Sequence, residues 1–467
     1  MELPLDRPRF ACAACKRLKK RCDRREPRCT YCLRSANRGI SPPSETASRQ
    51  FEDDTTHFPA VYFLNSDLFQ RSIGQLSSPP VTLAPELQSF VRNKSNMRDH
   101  ATSYFTKIHP WIPFISKRVF YEGVLSSFMP TPAEHVLLLA AVKLVTTSPT
   151  TQDARSMIYK HIKAMFTELE VIGQLTLKTL QALTLLALYE LGHAVYPAAY
   201  LTIGLCARYG IALGLDETVR GIMQSSWNMI DLEEKRRTWW AIVILDRFVH
   251  LGCPEKTPVT AEPTADSVLP MDDQLWDTNT SESVHTLSSP PTPTMGRFGL
   301  TVQAGILLGK ALRNLRDSCS MPQGPSRTLQ DDEAEVLENT IFALAKVSSE
   351  EARARGIGIC GLTKMCYRQS NAEEKDLYIA SQMVHIGTLN DTLTYPGTQE
   401  EVSPFLLDAV YRSAIIYMQE YVSTGSQDLL RGINEFRSAL EKINGRWKAA
   451  GIYLQLLEAH DTTNILR

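Results

Sequence analysis

Five of the ten cysteines in this 467-residue chain, Cys12, Cys15, Cys22, Cys29 and Cys32, fall within 21 residues. Random placement would put about half a cysteine in such a window, so the cluster has a cause. Cys12-x2-Cys15 and Cys29-x2-Cys32 are short chelate loops, each able to aim two thiolates at one tetrahedral metal. Cys22 follows Cys15 after six intervening residues, enough for a turn or two of helix before the chain returns to the metal. Zinc suits an all-sulfur tetrahedral site and brings no redox chemistry. A segment this small has almost nothing apolar to bury, so the metal itself has to fold it.

The same segment is strongly basic. Residues 7–38 carry twelve Lys or Arg against Asp23 and Glu26, a net +10, although the whole chain sums to −1. A basic head on a mildly acidic body suits a polyanionic partner. Between Cys15 and Cys22 only Leu18 interrupts Lys16, Arg17, Lys19, Lys20 and Arg21. On a short helix pinned by zinc, these side chains reach phosphates and base edges in the major groove of double-stranded DNA. Without the cysteines the run would read as a nuclear-import signal or a solvated charge run. Import and DNA contact can use the same residues, and the nucleus is the expected location.

These features resemble the binuclear zinc cluster of fungal transcription factors, whose pattern is C-x2-C-x6-C, a short loop, and C-x2-C-x6-C. "CAACKRLKKRCD" matches the first half, including Asp23, and "CTYCLRSANRG" matches the start of the second; Pro27 matches the loop. The resemblance implies two zinc ions, bridging roles for Cys12 and Cys29, and contact of Lys19 with a CGG-type element. One position departs. The sixth cysteine is due at residue 39, which is Gly39, and no cysteine or histidine follows before His57. Three readings are open: a second metal held by three thiolates and water, a degenerate cluster, or a mis-joined gene model near Arg38 and Gly39. The abrupt end of the match favours the last.

The rest of the chain must position this head. The apolar fraction of 43% and charged fraction of 22% describe a globular protein, and the length suggests two to four domains or subdomains. The first thirty residues lack an apolar leader, and no clean apolar run exceeds the length of Val136–Val142, so a soluble intracellular protein with no membrane partner is expected. In a reducing compartment, clustered cysteines favour metal over disulfides. Residues 1–40 form the expected zinc domain and 41–80 a linker, whose "FPAVYFLNSDLFQ" patch is expected to dock on the body. No heptad repeat follows the cysteines, so a coiled-coil dimer has no support, and a homodimer by other means stays open.

Beyond residue 80 the pattern is helical. Leu177, Leu180, Leu183, Ala187 and Leu191 recur at helical spacing; Pro197 permits a new helix toward Gly210 or Gly214. "DLEEKRRTWWAIVILDRFVHLG" places acids in a first turn before a long apolar run, as the helix dipole favours. Residues 276–296 are rich in Ser, Thr and Pro and read as a surface loop or disordered insert. The expected fold is therefore a small zinc-stabilised N-terminal DNA-binding domain plus a large all-α regulatory domain, divided as 81–275, the 276–296 loop and 297–467. "YFTKIHPWIPFISKRVF", "QALTLLALYELGHAVYPAAYLTIGLCARYGIALGLD" and "RRTWWAIVILDR" resemble blocks of the fungal-specific regulatory domain. His109, Trp111, Trp239, Trp240, Asp246 and Arg247 carry that match. Their expected role is structural, as aromatic core or a buried ion pair.

No catalytic arrangement emerges. There is no Gly-rich phosphate loop, no G-x-S-x-G and no H-E-x-x-H. His193 and His250 read as surface or capping histidines at helix ends, and nothing near Cys253 in sequence would activate its thiol. The expected protein is not an enzyme. It is a zinc-dependent regulator of RNA polymerase II transcription, which the resemblance places in a metabolic or secondary-metabolite pathway. The alternative is a helical interaction protein whose degenerate cluster no longer binds DNA. A third reading adds a small-molecule effector bound by the helical body.

Overall fold

The computed structural model describes residues 83–465, apart from 126–130, 152, 174–175, 222–228, 254, 279–283, 291, 293–294, 321–335, 338–339 and 341–397. The first helices are α1 (Pro85–Arg92), α2 (Lys94–Lys107), α3 (Ala133–Thr146), α4 (Met157–Val171), α5 (Leu177–Gly192), α6 (Ala198–Ala212), α7 (Leu215–Val219) and α8 (Met229–Phe248). After them come α9 (Asp273–Thr278), α10 (Arg297–Ser320), α11 (Leu406–Thr424), α12 (Gln427–Asn444) and α13 (Ala449–Ile465). Among the described residues, the β structure is one isolated antiparallel bridge, Val268 to Thr286. The helices belong to a single unit, Pro80–Val171 with Leu175–Arg467. The all-α expectation for the body holds.

α5 is the centre of the packing. Thr176 caps it by accepting from the Thr179 backbone N–H at 3.1 Å. Every residue from Thr179 to Gly192 is buried, with α3 on one side and α6 and α8 on others. A helix apolar on all sides has no solvent face to fix its rotation, so polar side chains and small residues set its register. At its C-terminus the Val195 N–H donates to Glu190 O (2.8 Å) and the Ala194 N–H to Leu191 O (3.2 Å). This is a Schellman stop, with Ala194 taking the left-handed conformation (φ 53°) that glycine usually supplies. Gly192 lets Trp447 approach: a Cβ there would lie 2.3 Å from Trp447 Cε3.

α8 carries the charge. It is buried from Leu232 to Phe248 except at Lys235. Its counterpart α10 packs across it through Gly305 and Gly309; a Cβ at Gly309 would sit 2.7 Å from Arg247 Cδ. α11, α12 and α13 form a C-terminal group whose Trp447 is fully buried.

The described middle of residues 276–296 is loop, with Val284, Ser288 and Pro290 exposed, and the segment is anchored at both ends. Trp276 and Met295 are 4% and 0% exposed. Backbone bonds Leu269 N to His285 O and Leu287 N to Ser267 O hold the described part, and Gln303 Nε2 donates to Ser289 O. Composition rich in Ser, Thr and Pro gave no sign of these anchors. Among the described residues, no helix is long and apolar enough to cross a membrane.

Candidate functional site

Cys12, Cys15, Cys22, Cys29 and Cys32, and the basic residues Lys16, Arg17, Lys19, Lys20 and Arg21, lie outside the described residues, as does the 41–80 linker with its apolar patch. Among the described residues no three His, Cys, Asp or Glu gather as a metal site. Cys206 is buried beneath α5, where burial pushes its thiol pKa up. The chemistry of the body resides instead in buried arginines, chief among them Arg237, Arg247 and Arg446.

Arg237 is 0% exposed and sits in a complete cage. Its Nε donates to Glu233 Oε1 (2.9 Å), Nη1 to Asp273 Oδ1 (2.6 Å) and Pro113 O (3.1 Å), and Nη2 to Met271 O (2.6 Å). The Trp276 ring covers its guanidinium at 4.1 Å. Burial alone would lower its pKa; Asp273 and Glu233 outweigh that and raise it. Glu233 also accepts from Arg236 Nη1 (2.7 Å) and the Met271 N–H (2.9 Å). The adjacent Glu234 Oε1 accepts from the Ser116 N–H (3.0 Å), Gln181 Nε2 (3.0 Å) and Lys178 Nζ (3.1 Å). The acids read in sequence as dipole-matching first-turn residues are thus largely clasp residues. They tie α8 to α5, to the segment before Ser116 and to the start of α9. His109 completes the clasp, parallel to Trp276 at 6.4 Å with Nε2 against Ile115 O. Burial depresses its pKa to about 4.

Arg247 and Asp246 form the buried ion pair that the sequence suggested, 3.3 Å apart. Thr260 binds both: its N–H and Oγ1 each reach Asp246 Oδ2 at 2.7 Å, and Arg247 Nη1 donates to Thr260 Oγ1 at 2.7 Å. Glu262 lies 3.6 Å from Nη2. Trp239 and Trp240 are 4% and 0% exposed, and Trp240 Nε1 donates to Val268 O. Trp111 Nε1 donates to Lys107 O. His109, Trp111, Trp240, Asp246 and Arg247 therefore fasten helices to loops, and Trp239 packs α8 on Gly210 of α6.

The third arginine, Arg446, lies at the α12–α13 junction and is 3% exposed. Its Nη2 donates to Val145 O at the end of α3, and its guanidinium stacks 3.9 Å from the Trp447 ring. Beside that indole stands His193, just past the end of α5, whose ring lies 5.2 Å from Trp447 and 4.3 Å from Tyr189. The Lys448 N–H donates to His193 Nδ1 at 3.2 Å. His193 and His250 are 5% and 2% exposed, so neither is the surface residue that its place at a helix end suggested. An Arg–Trp pair far along the chain covers His193, which local sequence does not show, while His250 packs on Tyr200 and caps its helix through Nδ1 against Asp246 O.

The helical body resolves the identity of the chain. Residues 101–440 match the model of the fungal specific transcription factor domain. The chain belongs to this family. It is 34% identical over 181 residues to transcription factor BOA15 of Botryotinia fuckeliana (strain B05.10), covering 38% of this chain and 98% of that protein. It is 26% identical over 298 residues to the pigment biosynthesis transcriptional activator pigB of Monascus ruber, with 52% of each covered. It is 22% identical over 323 residues to the notoamide biosynthesis cluster transcriptional coactivator notQ' of Aspergillus versicolor, with 58% of each covered. The match thus spans little more than half of pigB and notQ'. The fungal specific transcription factor domain is a family of transcription factors, and the chain is not an enzyme. The blocks around His109, Gln181 and Arg237 that resembled its regulatory domain lie within the matched residues.

Proposed function

We propose that this chain is a zinc-dependent, sequence-specific DNA-binding regulator of RNA polymerase II transcription that acts in the nucleus on a biosynthetic gene cluster for a secondary metabolite. The observation that carries the reading is the five-cysteine, basic N-terminal pattern on a chain whose body belongs to a transcription-factor family. Cys12, Cys15, Cys22, Cys29 and Cys32 would hold zinc, which supplies a rigid cross-link where no apolar core exists. Lys16, Arg17, Lys20 and Arg21 would grip phosphates of double-stranded DNA, and Lys19 would read a CGG-type element. Relatives named for notoamide and pigment biosynthesis support the gene-cluster assignment.

The test is fluorescence anisotropy of the full chain on a CGG-containing duplex, across a salt series and with a zinc chelator. Affinity falls steeply with salt and specific binding disappears on zinc removal. Specific binding that survives zinc removal would overturn the mechanism. Gly39 favours a second reading, in which the cluster has lost DNA binding and the protein acts through another regulator. Native mass spectrometry of the full chain separates the two, since bound zinc supports the first reading and none supports the second.

A further inference from the structure

Where α1 turns into α2, the packing leaves a cavity of about 140 Å³. Val91 of α1, Met97 of α2 and Leu139 of α3 line it, together with Val124 and Leu125. All but Leu125 are buried, so the space reaches into the body. Interiors normally close such gaps, because lining atoms without neighbours lose dispersion contacts. Val124 ends a single π-helical turn, Phe120–Val124, a wide coil that recurs at functional sites. An apolar cavity of about 150 Å³ is large enough to hold benzene.

The rim of this cavity is cationic. Arg92, the last residue of α1, and Lys94, the first of α2, both line it and both are exposed. Asn93 between them caps α2, accepting from the Asn96 N–H at 3.0 Å. Among the described residues neither cation has an ion-pair partner, and no carboxylate lines the cavity. Glu86, the acid of α1, pairs with His161 instead. No acid stands in the first turn of α2, so the positive end of that helix adds to the two side chains. An apolar chamber beneath two unpaired cations complements an amphipathic anion. The apolar part leaves water inside the chamber, and the charge stays at the rim, where it is still partly hydrated.

We propose that this cavity binds a small monocarboxylic acid whose apolar part is about the size of a benzene ring, with its carboxylate held by Arg92 and Lys94. Such a ligand would tie α1 and α2 to α3, the helix packed on the central α5. None of these residues belongs to the proposed zinc or DNA machinery.

Thermal unfolding and titration calorimetry of the full chain test this with sodium benzoate and sodium hexanoate. The controls, at equal ionic strength, are sodium acetate, which lacks the apolar part, and benzyl alcohol, which lacks the charge. Benzoate or hexanoate is expected to raise the midpoint saturably, by about 3 °C at roughly a hundred times its dissociation constant. Acetate gives no saturable rise, and benzyl alcohol binds about tenfold more weakly than benzoate. Arg92→Gln combined with Lys94→Gln, two exposed positions, weakens benzoate about tenfold and leaves benzyl alcohol unchanged. Val91→Phe fills the cavity and abolishes binding of both. Either acid acting alone supports the proposal. It is overturned if neither acid binds, if acetate or benzyl alcohol matches benzoate, or if the charge variant binds benzoate as the wild type does. Should Val91→Phe not fold, the charge variant decides.

Discussion

Arg237 and Arg446 are both buried, both stack on a tryptophan, and both sit where distant segments meet, yet their surroundings are opposite. Arg237 donates to two carboxylates and two carbonyls. Among the described residues, Arg446 donates to one carbonyl. Burial lowers both pKa values, but the acids beside Arg237 reverse the shift, whereas Arg446 is left at about 10. The difference teaches that burial of an arginine says little by itself. A caged guanidinium is part of the architecture, because removing it strands Asp273 and half-empties Glu233. A bare one has no acid to strand.

Mutation can break this comparison, and the largest effect is expected at the cage. Arg237→Met leaves Asp273 without its partner and Glu233 with Arg236 as its remaining ion pair, and should cost about 3–5 kcal/mol, read from denaturant unfolding. A loss below about 1 kcal/mol would mean that the clasp is not a fixed network. Next comes the pH response beside it. His109 is held near pKa 4 in the fold, below the 6.5 of an exposed histidine. The unfolded chain therefore takes up the proton first. The neutral His109 is compatible with full stability above pH 6.5, and stability falls as pH drops from there toward about 4. The loss amounts to about 3 kcal/mol. His109→Gln should flatten that slope, and an unchanged slope would exclude His109 as its source.

Smaller effects belong to the bare arginine. Gly192→Ala drives a methyl into Trp447 and should cost about 1–3 kcal/mol while opening the junction. Arg446→Met should change stability by no more than about 1 kcal/mol, because it removes a cation that strands no acid. If Arg446→Met costs as much as Arg237→Met, the two sites are alike and the contrast fails.

The helices at α5 and α8 were legible from spacing, caps and Pro197, and so was the Asp246–Arg247 pair. The caged arginine was half legible: Glu233 and Arg237 stand at i and i+4 in an apolar run, but Asp273, Met271 and Pro113 come from elsewhere. Nothing near His193 announces Arg446, because residues 445–448 lie between helices and meet α5 only through tertiary packing. The residue ranges most readable in sequence, around Cys12 to Cys32, lie outside the described structure. Local spacing reports chelation and periodicity well; it does not report which distant segment covers a helix end.

Trp447 fits against Gly192, and Lys448 bonds to His193 across a separation of 255 residues. At a synthesis rate of about 5–20 residues per second, the end of α5 waits roughly 10–50 s for its cover. During that interval an apolar helix end with a buried-type histidine is open to water and to other chains. Truncations ahead of Trp447 would leave that helix end permanently without its cover.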